Sequence, residues 1–115
     1  MIREIIFFGE HFPDFYEAQR EKVQEKIDYV LYLISNVERV PVKFLKHIEG
    51  VEGLYEIRVS SGGLAIRIFC FFDERKLVIV LNAFQKKSQK TPANEIALAE
   101  KLKRKYFEEK QKSER

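Results

Sequence analysis

Between Leu54 and Phe84 the chain carries three runs dense in Ile, Val, Leu and Phe, with only short turns to separate them. Residues 54–61, 64–73 and 76–84 therefore predict an antiparallel meander. The pair Gly62-Gly63 between the first two runs sets the register. A two-residue type I′ turn needs positive φ at both central positions, which glycine tolerates. Such a turn pairs Ser61 with Leu64, then Val59 with Ile66, Ile57 with Ile68 and Tyr55 with Cys70. Almost all of these are apolar, so they define a core-facing side of the sheet. A one-residue slip would scramble that pattern.

The same register sets Arg58 directly opposite Arg67, although like charges facing one another on a sheet are unfavourable. A tight turn at Glu74-Arg75 would extend the register and bring Asn82 beside Arg67. Glu56, Arg58, Ser60, Arg67 and Asn82 then share the second face. Phe69, Phe71, Val78 and Val80 are expected on the other half of it. Lys86 keeps the parity of Asn82, so Lys86 and Lys87 run toward the arginine end. Two explanations of the arginine pair stay open: Glu56 and a helix carboxylate neutralise it, or it binds a phosphate.

The flanking segments predict helices. Residues 2–8 read as a first strand. Phe12, Phe15, Tyr16, Val23, Ile27, Val30, Leu31 and Ile34 recur at helical spacing, which predicts one helix of roughly 22 to 24 residues. Pro13 suits its first position and Ser35-Asn36 its end. Pro41 opens a shorter amphipathic piece through Phe44, Leu45 and Ile48. A last helix is expected from Thr91-Pro92, with Thr91 as N-cap, Pro92 in the first position, and Ile96, Ala99, Leu102 and Tyr106 along one side. The order is β-α-α-β-β-β-α, an α+β fold with helices packed on an antiparallel sheet.

A chain of 115 residues suits one domain. Its longest apolar stretch is interrupted by Arg67 and is too short for a membrane helix, and no secretory leader pattern opens it. Cys70, the only cysteine, allows no internal disulfide, so a cytoplasmic protein without membrane association is expected. The net charge of +3 is concentrated at one end: residues 86–115 hold ten Lys+Arg against five Asp+Glu. Local positive charge of this kind suits a polyanion, although a solvated terminal helix would look the same. His11 and His47 lack metal-ligand spacing, Ser60-Ser61-Gly62-Gly63 is a turn signature, and Cys70 reads as a core residue; neither metal nor cofactor is expected.

RNA can be cut without a metal, when a 2′-hydroxyl attacks the adjacent phosphate, and residue types of this chain could take part in such chemistry. Arg58, Arg67, Lys86 and Lys87 are the residue types that orient that phosphate and stabilise its added charge. Glu56 is on the correct face to act as a base. Phe84, at a strand end, could meet a base, and Asn82 and Lys90 could add RNA contacts.

The run Gly53-Leu54-Tyr55-Glu56-Ile57-Arg58-Val59, with Arg67 in the next strand, resembles the RelE/ParE toxin superfamily. The segment 83–92, AFQKKSQKTP, followed by Glu95-Ile96-Ala97-Leu98-Ala99, resembles its HigB-like, phage-derived branch. That resemblance implies a toxin of a type II toxin–antitoxin pair and a ribosome-dependent mRNA endonuclease. Its partners would be ribosome, mRNA and a cognate antitoxin, often a helix-turn-helix protein. By position, Arg67 resembles the arginine that grips the scissile phosphate, Arg58 a basic residue of the preceding strand, and Lys86 and Lys87 the basic residue after the last strand. RelE has a Lys where this chain has Glu56, though some relatives use a Glu base. RelE's terminal catalytic Tyr has no clear counterpart; Tyr106 reads as a packing residue. ParE-like relatives keep the fold but inhibit DNA gyrase without cleaving RNA, and an inactive prophage-derived relative is a third reading.

Overall fold

A computed structural model describes residues 1–114. The element order is β1 (Glu4–Phe7), α1 (His11–Glu17), α2 (Glu21–Asn36), β2 (Leu45–His47), β3 (Tyr55–Ser61), β4 (Leu64–Asp73), β5 (Leu77–Lys86) and α3 (Ala93–Ser113). The strands form one sheet in the order β1-β5-β4-β3-β2. The α+β class and the meander stand as expected. The sheet is mixed because β1 pairs with β5 in parallel, and the other pairings are antiparallel.

The β3–β4 register is the one the glycine pair dictates, with Ser61 opposite Leu64 and Arg58 opposite Arg67. Gly62 and Gly63 take φ of +53° and +85°, as the turn requires. Ile57, Val59, Ile66, Ile68 and Cys70 pack against Val23, Ile27, Val30 and Ile34 of α2. Phe69, Phe71, Ile79 and Leu81 form the opposite core with Ala99 and Leu102 of α3. Each sheet face therefore has its own helical cover, the usual solution for a sheet with two apolar faces.

Three expectations need correction. The first helix is two helices, because Arg20 adopts extended backbone between them. Side chains satisfy the carbonyls exposed by the break: Gln24 donates to Tyr16 O at 2.8 Å and Gln19 to Phe15 O at 3.1 Å. The piece after Pro41 forms the short edge strand β2 rather than a helix, pairing Leu45 with Ile57. The last helix begins one residue later than expected, with Pro92 at its N-cap and no side-chain cap from Thr91.

The β4–β5 register also differs, and it moves side chains between faces. Asp73 pairs with Leu77, so the turn includes Lys76 as well as Glu74 and Arg75. Val78 and Val80 consequently pack on the α2 side, away from Phe69 and Phe71. A bulge then intervenes: Cys70 faces Val80 and Ile68 faces Ala83, leaving Leu81 and Asn82 opposite Phe69 alone. Beyond it Arg67 faces Phe84, not Asn82, and Ala65 faces Lys86.

A candidate phosphate-binding cleft

The cleft grows out of the register just described. Residues Arg58, Ala65, Arg67, Lys86, Lys87, Ser88 and Gln89 line an open depression of about 490 Å³ at one end of the sheet. Ala65 and Arg67 project from one side of β4, and Lys86 lies across from Ala65. The methyl of Ala65 leaves room among longer neighbours. The bulge brings Lys86 to this position, and the chain then leaves the sheet through Lys87, Ser88 and Gln89.

Beneath the cleft, one carboxylate serves two guanidinium groups. Glu56 Oε1 lies 3.5 Å from Arg58 Nε and 3.8 Å from Arg67 Nε. Arg67 is only 8% exposed and Glu56 7%. Arg67 donates from Nη1 to the Ile66 carbonyl at 3.1 Å, while its buried Nε has no hydrogen-bond partner among the described residues. Burial, then the charge of Arg58, pulls the Arg67 guanidinium below its ordinary pKa, and Glu56 pulls the other way. Two arginines share one counter-charge, and two lysines stand at the rim. The helix carboxylate of the first of the two open explanations does not enter the pairing among the described residues. An arriving anion would supply the missing negative charge.

The structure thus brings Arg58, Arg67, Lys86 and Lys87 to one cleft, with Glu56 under it. The other sequence candidates lie elsewhere. Asn82 is buried by the bulge and donates to Glu95 O at 3.1 Å and Glu95 Oε1 at 3.0 Å, fastening α3 to the sheet. Phe84 is buried edge-on against Phe69, ring centroids 5.2 Å apart, so its ring is core and not a stacking surface. Lys90 is exposed beyond the lining residues. Ala65, Ser88 and Gln89 were missed; the parity of β4 places Ala65 beside Arg67, but the path of 88–89 depends on the bulge.

Tyr106 packs as expected. Its ring meets Phe8 and Phe71 edge-on, and its hydroxyl donates to Asp73 Oδ2 at 2.7 Å, where Lys110 also binds at 2.9 Å. Burial raises the Asp73 carboxyl pKa, but the hydrogen bonds from Tyr106 and Lys110 outweigh it and the net shift is downward. Burial, together with Asp73, pushes Tyr106 up to about 12. His11 lies in α1, and His47 lies in β2 with its ring edge-on to Tyr55. Burial raises the Cys70 thiol pKa. Among the described residues, no helix is long and apolar enough to cross a membrane.

Fold and site together define a class: a mixed sheet covered by helices, with cations from β3, β4 and the end of β5 gathered in one cleft. A family model described as "Phage derived protein Gp49-like (DUF891)" matches residues 14–104. The chain belongs to that family, a RelE-like toxin family. No curated protein matches it.

Proposed function

We propose that this protein is the toxin of a type II toxin–antitoxin pair, of the HigB-like branch, and that it cleaves mRNA on the ribosome. The observation that carries this reading is the single cleft lined by Arg58, Arg67, Lys86 and Lys87. A scissile phosphate there would take bidentate contacts from the arginines and point charges from the lysines. Their attraction strengthens as negative charge builds on the phosphate, and that difference is what accelerates the reaction. Glu56 is assigned as the base. A phosphate that draws the arginines toward itself frees this carboxylate to accept the 2′-hydroxyl proton. A lysine of the rim protonates the departing 5′-oxygen. The reaction so written needs no metal or cofactor. Its site of action is the cytoplasm, and a helix-turn-helix antitoxin is the partner proposed to restrain it.

The test is induced expression followed by mapping of transcript ends. New mRNA ends should appear within translated codons, and Arg67→Ala should lower cleavage by about 10² to 10³-fold while the circular dichroism spectrum is retained. Intact transcripts alongside growth arrest would reject cleavage and favour a gyrase-directed inhibitor, which a DNA-damage response would reveal.

A further inference from the structure

A second cleft borders Arg58 at the free edge of the sheet. It holds about 290 Å³ between Lys26 and Tyr29 of α2, Lys43 and Phe44 before β2, and Arg58 and Ser60 of β3. Among the described residues, no acidic side chain lines this second cleft. Tyr29 is 52% exposed, on a helix whose other large apolar side chains mostly face the core. Its ring stands edge-on to Phe44 with centroids 6.5 Å apart, and Lys43 Nζ lies 5.5 Å from the Phe44 ring centre.

The backbone adds hydrogen-bonding groups. β2 pairs with β3 only as far as Leu45 and Ile57, and Arg58 N then donates to Phe44 O at 2.8 Å. By the alternation of an antiparallel ladder, the N–H and C=O of Ser60 point to that same edge, past the end of β2. An exposed aromatic, flanking lysines and open backbone groups together match what binds a single-stranded nucleic acid: a stacking surface, phosphate attraction and donors for a base edge.

We propose that this second cleft binds the base of the nucleotide adjoining the scissile phosphate, stacked on Tyr29 and flanked by Lys26 and Lys43. The proposal rests on the RNA-cleaving reading of the first cleft and assigns its neighbouring subsite. Arg58 borders both clefts, so a strand that rounds the free edge of β3 past the end of β2 would run from phosphate to base.

Binding of short 2′-O-methyl oligoribonucleotides, with an abasic site moved through each position, tests it by fluorescence anisotropy. The wild-type protein should lose about 5- to 100-fold in affinity when one particular base is removed. Tyr29→Ala should bind the intact and abasic strands alike, and Tyr29→Phe should restore the difference. Arg67→Ala should weaken both strands equally and keep the difference. If Tyr29→Ala retains the wild-type discrimination, or if its only defect is in binding a protein partner, the subsite is overturned while the phosphate cleft stands. If the wild-type protein binds the strands but loses the same affinity wherever the abasic site is placed, the subsite likewise falls while the phosphate cleft stands.

Discussion

Glu56→Gln should weaken the fold and strengthen anion binding at the same time. Glu56 Oε1 lies 3.5 Å and 3.8 Å from two guanidinium nitrogens, which at an effective dielectric constant of about 20 is roughly 4 to 5 kcal/mol of gross attraction for each pair. Desolvation offsets part of this, and solvent screens the Arg58 share because that side chain is 30% exposed. Glutamine keeps the shape and removes the charge, leaving Arg67 buried beside Arg58. A buried pair broken from one side costs about 3 to 5 kcal/mol, and screening puts this case near 3. For a chain of this length that is a fall in Tm of roughly 12 °C. Pyrophosphate, compared with sodium chloride at equal ionic strength, should raise the Tm of Glu56→Gln more than that of the wild-type protein, since the anion takes over the lost counter-charge. Thermal and urea unfolding with and without pyrophosphate would measure both effects. A variant within about 0.5 kcal/mol of wild type, or one stabilised less by the anion, would refute the shared-carboxylate argument.

Other sites give independent checks. Ala65→Leu should fill the cleft and abolish RNA cleavage while changing urea-unfolding stability by less than about 1 kcal/mol, because the side chain projects into open space. Tyr106→Phe should cost about 1 to 2 kcal/mol at neutral pH by removing the hydrogen bond to Asp73. Because the folded-state pKa of Tyr106 is raised to about 12, its protonated hydroxyl stabilises the fold fully below the ordinary tyrosine range of about 10, and the advantage over Tyr106→Phe should vanish as pH climbs through 12. Asp73 is shifted the other way. Its advantage over Asp73→Asn should be present above the usual carboxylate range of about pH 4 and be lost as acid protonates the folded form, which acid titration of stability would follow. Gly63→Ala should lose about 1 kcal/mol or more at its φ of +85°, read from the urea midpoint.

What the sequence disclosed follows from how local each determinant is. The β3–β4 register was legible because Gly62-Gly63 fixes it within a few residues and the apolar pattern confirms it. The meeting of Arg58 with Arg67 came with it. The β4–β5 side was not legible: Glu74 and Arg75 both take positive φ, at 53° and 66°, which side chains other than glycine seldom do, and the sequence gives no sign of the extra turn residue. Nor does a bulge announce itself, since Leu81 and Asn82 read as ordinary alternation until Phe69 is known to oppose both. Lys86 and Lys87 still reached the arginines because one added turn residue and one bulge residue together restored their parity. Phe84 and Asn82 were misread for the same cause: the shift tied Asn82 to Glu95 and closed Phe84 against Phe69. The break between α1 and α2 contains neither Pro nor Gly, and the Gln24 contact that supports it spans eight residues.

Replacing the phosphates of a bound oligoribonucleotide, one at a time, by neutral methylphosphonates tests most directly whether the four cations hold one phosphate. One linkage should dominate, its neutralisation weakening wild-type binding by about 100-fold, as two charge-assisted hydrogen bonds imply. That sensitivity should shrink in Arg58→Ala, Arg67→Ala, Lys86→Ala and Lys87→Ala alike. Small, equal losses at every linkage, unaltered by those substitutions, would contradict the account.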